Sequence, residues 1–223
     1  NGTNLQADAS GWELRDHGLT VDFHLSGAMS NRKAPADGMT YPYTLKVADM
    51  FTLMPYENSL VILNMTGVQI KNVLERGYRN YFYYKYVPGY GGYSYYTTCM
   101  LGTNKDSQIV YRDTNPALPD GNNVLAMRYK DALGETQTVD FTDDTTMYKV
   151  STVNYLAAGS CNFNDGGVSL WPLNQIANDT QYYVRDAVIH YIQDAGTTKP
   201  INPMIEGRLG LAVPRGWMPL MSK

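Results

Sequence analysis

The stretch "LMPYENSLVILNMTGVQIKNVLE", residues 53–75, carries a turn, an apolar run and an amphipathic segment one after another. Pro55 fixes its own φ and has no N–H to donate, so it ends the helical turn predicted over residues 45–53 and projects Tyr56 outward. The apolar run at 59–65 predicts a strand. These signals together predict a short helix, an exposed turn and then a strand.

The same stretch also contains the start of a helix. Thr66-Gly67 predicts a turn, after which the apolar residues of 68–77 recur at helical spacing. Thr66 is the predicted N-cap, because Gln69 stands at the capping-box spacing from it. The stretch is therefore interpreted as a strand, a turn and a helix.

Elsewhere the chain mixes strand and helix periodicities. Residues 19–26 alternate apolar with polar side chains, which predicts a half-buried strand with Asp22 and His24 on its polar face. Other predicted elements are helices over 4–16 and 182–194, and strands over 108–112, 124–129, 136–141, 147–152 and 206–213. Because no repeat and no regular strand–helix alternation occurs, the predicted class is α+β.

Composition excludes two kinds of partner. The formal charge is −3, and Lys and Arg never occur in runs longer than two, so a nucleic-acid polymer is not expected to bind. No apolar run approaches the length of a membrane span. The two cysteines, Cys99 and Cys161, are either a single disulfide or two buried thiols.

The segment 78–96 is unusually rich in aromatic residues. It contains nine tyrosines among glycines and a proline, a composition compatible with a packed loop or with disorder. The density of rings favours a packed loop.

No complete catalytic constellation is recognisable. Asp22 and His24 have the Asp-x-His spacing of a dinuclear metal site, but the further ligands that such a site needs are missing, so they are interpreted as strand residues and no metal site is predicted. The residues instead favour binding. Tyr56 and Tyr155, on separate loops, could stack on a flat ligand, or each could be an ordinary core tyrosine.

Four stretches, in order, resemble the C-terminal domain of 5′-nucleotidases and of related periplasmic or cell-surface UDP-sugar hydrolases and cyclic-nucleotide phosphodiesterases. They are "NGTNLQADA" (1–9), "VDFHLSGAMSNR" (21–32), the opening stretch (53–75) and "YKVSTVNYLAAGSCNF" (148–163), the third being the most specific. The resemblance extends to about residue 209. It implies an α+β fold in which helices flank a mixed sheet.

The resemblance assigns the two tyrosines a shared role. In that family an aromatic of the Pro-containing turn and an aromatic before Leu-Ala clamp the nucleobase, and these positions are Tyr56 and Tyr155 here. Asn58 takes the place of an Asn that contacts the base. No catalytic residue is carried over.

The family's glycine-rich loop adds further substrate-binding positions. Ser26 and Gly27 open this loop. The Arg that reaches the substrate's phosphate falls on Asn31 in ungapped register or on Arg32 with one extra residue, and the charge favours Arg32.

Cys161 is one departure from the family pattern. It replaces the Asp that binds the ribose, and a thiol cannot accept the sugar's hydrogen bonds as a carboxylate does. The resemblance places Cys99 near another nucleoside-contacting loop, so a Cys99–Cys161 disulfide in the sugar site is expected. Glu57 departs too, because it adds negative charge near an anionic substrate.

The resemblance also implies a longer protein. Residues 1–209 correspond to the substrate-binding domain, residues 210–223 to an extension, and an N-terminal metallophosphoesterase domain would carry a divalent metal pair and act as the partner of this one. The chain alone, which needs no cofactor, is expected to be inactive. The expected function is nucleotide or nucleoside recognition in an extracellular, periplasmic or cell-wall-associated hydrolase; the alternative is a degenerate module that has lost nucleotide binding and serves as a structural or binding surface.

Overall fold

A computed structural model describes residues 2–27, 44–82, 99–112, 122–196, 206–213 and 216–219. The helices are α1 (Gly2–Asp16), α2 (Val47–Leu53), α3 (Gly67–Phe82), α4 (Asn154–Ala157) and α5 (Val184–Gly196), with a 3-10 turn at Leu173–Gln175. The strands are β1 (Phe23–Ser26), β2 (Ser59–Thr66), β3 (Gly102–Thr103), β4 (Ser107–Arg112), β5 (Val124–Lys130), β6 (Thr136–Thr138), β7 (Met147–Val153), β8 (Asn164–Asp165), β9 (Val168–Ser169), β10 (Ile176–Tyr183), β11 (Leu209–Val213) and β12 (Gly216–Pro219).

Two mixed sheets of five strands form the framework. The first has the order β10-β2-β7-β1-β3, in which only β1 and β7 are parallel. The second has the order β12-β11-β4-β5-β6, in which β11 is parallel to β4. Helices α1 and α5 pack against each other beside the first sheet, and α3 contacts both sheets through β2 and β5. Mixed sheets with flanking helices confirm the predicted α+β class.

The opening stretch folds largely as its signals predict. Helix α2 ends directly before Met54-Pro55, and β2 begins at Ser59. At the start of α3 the Thr66 amide donates to Oε1 of Gln69 at 2.9 Å, and the Gln69 amide donates to Oγ1 of Thr66 at 3.3 Å. The predicted capping box is therefore present.

Helix α3 continues beyond its predicted end at residue 77. Gly77 lies inside the helix, where a Cβ would stand only 3.1 Å from Cγ of Leu101. This glycine therefore permits close packing against Leu101 and does not end the helix. The helix extends to Phe82 and takes in the first part of the tyrosine-rich segment. Residues 83–98, which include the rest of that segment, lie outside the described residues.

Strand β1 is buried on both faces, so the prediction of a half-buried strand with a polar face at His24 was wrong. The strand lies between β7 and β3, and α1 packs against it. His24 is fully buried, and its Nδ1 lies 2.9 Å from Oγ of Ser151. Asp22 lies just before the strand, where its carboxylate accepts a hydrogen bond from the Lys149 amide at 2.7 Å.

A buried ion pair joins the two ends of the described chain. The guanidinium of Arg208 donates two hydrogen bonds of 2.7 Å to the Asp8 carboxylate and one of 3.3 Å to the carbonyl of Asn4. It also pairs with Glu206. Arg208 therefore ties α1 to the segment that leads into β11.

Candidate functional site

The predicted site segments meet at one edge of the first sheet. Strand β2 begins at Ser59 opposite Tyr183, the last residue of β10, and its next residue, Leu60, pairs with Val153 at the end of β7. Parallel to β7, β1 ends at Ser26 on the same edge, where it pairs with Gly102 at the start of β3. The loops that carry Tyr56, Tyr155 and Gly27 thus leave the sheet side by side.

Tyr56 lies in the turn between α2 and β2 and is 62% exposed. The first residues of α5 hold this turn in place. The Val184 amide donates to the carbonyl of Asn58 at 2.9 Å. Arg185 donates through Nη1 to the Met54 carbonyl at 3.4 Å and pairs through Nη2 with Oε1 of Glu57 at 3.5 Å.

Tyr155 lies in the short helix α4, directly after β7, and is 46% exposed. Its neighbour Asn154 accepts, through Oδ1, a hydrogen bond from the Ser59 amide at 3.2 Å. One side chain therefore links the Tyr155 loop to the Tyr56 turn, although the two residues are far apart in the chain. Within the described part of the chain, neither tyrosine ring stacks on another ring.

The other predicted residues are less accessible. Asn58 is 8% exposed, and Ser26 is fully buried, with its hydroxyl bonded to the Gln6 side chain and to the Gly27 carbonyl. Gly27 is also buried. Arg32, which was predicted in preference to Asn31 to bind the phosphate, lies outside the described residues. Ser26 and Gly27 therefore border the edge without offering a side chain to it.

Cys161 is bonded to Cys99 in a disulfide with a Cα–Cα distance of 5.8 Å. Cys99 lies just before β3, and Cys161 lies in the turn after α4. The bond therefore joins two segments that lie at this same edge of the sheet. Cys161 and Asn162 both have positive φ, and this strained turn is held by Asn80 of α3, whose Nδ2 donates to the Cys161 carbonyl at 2.9 Å. The sulfur of Cys161 is therefore covalently bonded and is not a free thiol.

Two open clefts are lined by residues other than the two tyrosines. One, of about 420 Å³, is lined by Arg76, Arg79 and the turn 162–166. The other, of about 390 Å³, lies at the second sheet, among residues that include Lys105, Arg128 and Arg208. The side chains that face these clefts are largely charged or polar. Neither Tyr56 nor Tyr155 lines either cleft.

The described residues do not support a metal centre. Across those ranges no group of three His, Cys, Asp or Glu side chains is arranged to hold an ion. Burial lowers the pKa of His24 to about 3, so its ring stays neutral at ordinary pH, and the Nδ1 contact to Ser151 occupies one of its nitrogens. Among the described helices, none has the length and apolarity needed to cross a membrane.

Arg185 and Asn154 contact the segments of the candidate site but were not among the residues predicted from sequence. An Arg in an amphipathic helix and an Asn after a strand are both common on exposed surfaces. The position of Asn154 directly before Tyr155 was the only sequence signal for it. For Arg185 the deciding contacts are tertiary, since they come from residues more than 100 positions away.

Comparisons with known proteins agree with the fold. A family model described as "5′-nucleotidase, C-terminal domain" matches residues 2–165. The trifunctional nucleotide phosphoesterase protein YfkN of Bacillus subtilis (strain 168) is 26% identical over 165 residues, which are 74% of this chain and 10% of YfkN.

Solved structures share the architecture. A 5′-nucleotidase precursor from Thermus thermophilus is similar with a TM-score of 0.66 and 20% identity, over 94% of this chain and 34% of that one. The NAD nucleotidase (NadN) of Haemophilus influenzae is similar with a TM-score of 0.63 and 20% identity, over 86% of this chain and 30% of that one. The chain thus spans about a third or less of the length of these proteins.

Proposed function

This chain belongs to the family of 5′-nucleotidase C-terminal domains, and on that premise we propose that it recognises a nucleotide or nucleoside for a longer, exported hydrolase. Residues 1–209 would form the recognition domain and 210–223 an extension. The divalent metal pair and the catalytic groups would belong to an N-terminal metallophosphoesterase domain. The names of the relatives, a nucleotide phosphoesterase and a 5′-nucleotidase precursor among them, support the substrate class and the exported location.

One observation carries the proposal. Tyr56 and Tyr155 are both exposed and, among the described residues, unstacked, and they lie in loops at the same edge of the sheet, next to the adjacent strands β2 and β7. Stacking of a base on an aromatic ring contributes about 1–3 kcal/mol and requires an accessible ring face. Tyr56 is 62% exposed and Tyr155 is 46% exposed, which supports their use as stacking rings. Asn58 lies at the base of the Tyr56 turn, and Arg32 is proposed to meet the phosphate.

Calorimetric titration of the chain with adenosine, AMP and UDP-glucose tests this proposal. We expect Tyr56→Ala and Tyr155→Ala each to weaken binding by roughly tenfold to a hundredfold, because each removes a stacking ring. Tyr56→Phe and Tyr155→Phe keep the ring and should bind like the unaltered chain. Leu133→Ala, at a position that is 86% exposed in the second sheet's hairpin, is the surface control.

The disulfide favours a second candidate function. Cys161 occupies the proposed sugar position with a bonded sulfur, and Glu57 brings negative charge to the turn that carries Tyr56. A domain that has lost nucleotide binding and serves as a structural or binding surface would tolerate both changes. Absence of binding for all three ligands at millimolar concentration would favour this candidate.

We also propose that this chain alone hydrolyses no phosphate ester. The reaction would need the metal pair of the N-terminal domain. Release of phosphate from AMP, or of UMP from UDP-glucose, by the purified chain with added Mn²⁺ or Zn²⁺ would overturn this proposal.

A further inference from the structure

Arg185 occupies a position that its own helix does not explain. It lies in the first turn of α5, where the helix dipole disfavours a cation. Its side chain is nevertheless only 9% exposed, and Arg is rarely buried so far without partners. The reason for an Arg here must therefore lie in the residues that it contacts.

All the described contacts of the guanidinium are made to the segment around Tyr56. Its central carbon lies 4.0 Å above the ring of Phe51, near the end of α2. Nη1 donates to the carbonyl of Met54, and Nη2 pairs with Glu57. Residues on both sides of Tyr56 are thus held by one side chain, while the ring of Tyr56 itself stays exposed.

The contacts differ in what they contribute. Glu57 is 73% exposed, so solvent screens its ion pair with Arg185 and makes it weak. The hydrogen bond to the Met54 carbonyl is buried, and the guanidinium also covers the ring of Phe51, which remains 52% exposed. Together these two contacts use the planar face of the guanidinium and a donor at its rim. Lysine can supply the charge, but its compact ammonium lacks the planar face and the spread donors with which the guanidinium makes both contacts.

We propose that Arg185 is a positioning residue that fixes the Met54–Glu57 turn so that the Tyr56 ring is held ready for a nucleobase. This inference rests on the proposed function. Val184 braces the far end of the same turn through Asn58, and Asn154 connects it to the Tyr155 loop. Arg185 therefore acts on ligand affinity through the orientation of Tyr56, without touching the ligand.

A double-mutant cycle tests this role. Titration with AMP and adenosine compares the unaltered chain with Arg185→Gln, Arg185→Lys, Tyr56→Ala and the double variant Arg185→Gln/Tyr56→Ala. We expect Arg185→Gln to weaken binding by about tenfold, part of what a stacking ring contributes. Arg185→Lys should restore only a fraction of this loss. In the Tyr56→Ala background, Arg185→Gln should cause no further loss.

The outcomes separate this inference from the proposed function. Equal losses from Arg185→Gln with and without Tyr56 would show a general structural effect and overturn the positioning role. Arg15→Gln, an exposed Arg at the end of α1, is the matched control for loss of one positive charge. If the unaltered chain binds neither ligand, the proposed function fails. Amide exchange then tests whether Arg185 fixes the turn. Faster exchange confined to residues 54–58 in Arg185→Gln supports positioning, and unchanged exchange there refutes it.

Discussion

Replacing Gly67 with Ala is expected to destabilise the fold because the structure has no space for a side chain there. A Cβ at this position would lie 1.7 Å from the carbonyl oxygen of Asp140 and 3.3 Å from that of Asp143. Since non-bonded atoms settle at about 3.5 Å, the loop and the helix would have to separate by more than about 1.5 Å. That movement would also break the 3.2 Å hydrogen bond from the Val68 amide to the Asp143 carbonyl.

The expected cost follows from three opposing contributions. Overpacking costs about 1–3 kcal/mol, and loss of the hydrogen bond costs about 1 kcal/mol. Replacement of a helical Gly by Ala returns at most about 1 kcal/mol. The free energy of unfolding should therefore fall by about 1–3 kcal/mol.

Urea unfolding followed by circular dichroism and tryptophan fluorescence measures this change, and Gly11→Ala is the matched control. Gly11 lies inside α1, where the nearest atom to a new Cβ is 3.7 Å away, at Nη1 of Arg15. It should gain about 1 kcal/mol from helix propensity alone. Opposite signs for the two variants are the expected result. A Gly67→Ala midpoint equal to that of the unaltered chain, at the same slope, would refute the steric reasoning.

Two further predictions concern the disulfide and the buried histidine. Cys99→Ala/Cys161→Ala should lower the free energy of unfolding by about 4 kcal/mol, because the bond spans a sequence separation of 62 residues. Reductant should destabilise the unaltered chain and leave the double variant unchanged. A double variant with the midpoint of the unaltered chain, or an unaltered chain whose midpoint reductant does not change, would contradict this. Burial lowers the pKa of His24 from 6.5 to about 3. Between these two pH values the imidazole binds a proton in the unfolded chain but not in the folded chain. The free energy of unfolding should therefore decline as pH falls from about 6.5 towards 3, by about 1.4 kcal/mol per pH unit from this group. His24→Gln should reduce this slope by the equivalent of one proton in urea unfolding at a series of pH values, and an equal slope in both chains would show that His24 does not titrate on unfolding.

Local signals predicted most of the elements in and around the opening stretch. The capping box of Thr66 and Gln69, and the helix end before Pro55, depend on residues within one turn of each other, so the sequence alone defines them. The predicted strands over 108–112, 124–129 and 147–152 were also confirmed, with boundaries that differ by one residue at most.

Elements that depend on distant partners were harder to predict. Strand β10, "IANDTQYY", was missed because it is an edge strand with largely exposed side chains, and β2 supplies the pairing that defines it. The helix that follows was consequently predicted to begin at 182 instead of Val184. The burial of His24 was missed because an alternating pattern does not reveal that α1 covers the second face of β1.

In the candidate site too, local sequence signals predicted some residues, and others depend on distant partners. The opening stretch and the Tyr155 segment pointed to the two tyrosines, and the sheet register brings their loops to a common edge. That the rings bind a nucleotide stays a prediction. Arg185 could not be found from sequence, because its described contacts are made across the boundary between α5 and the α2–β2 turn.

The tie between Arg208 and Asp8 has a consequence for synthesis on the ribosome. Asp8 of helix α1 is synthesised 200 residues before its ionic partner Arg208, and β11, the parallel neighbour of β4, follows Arg208 directly. At about 5–20 residues per second, translation of that interval takes on the order of 10–40 s. During this time Asp8 lacks its ionic partner and the second sheet lacks β11, so the second sheet is expected to be completed late in the folding of this domain.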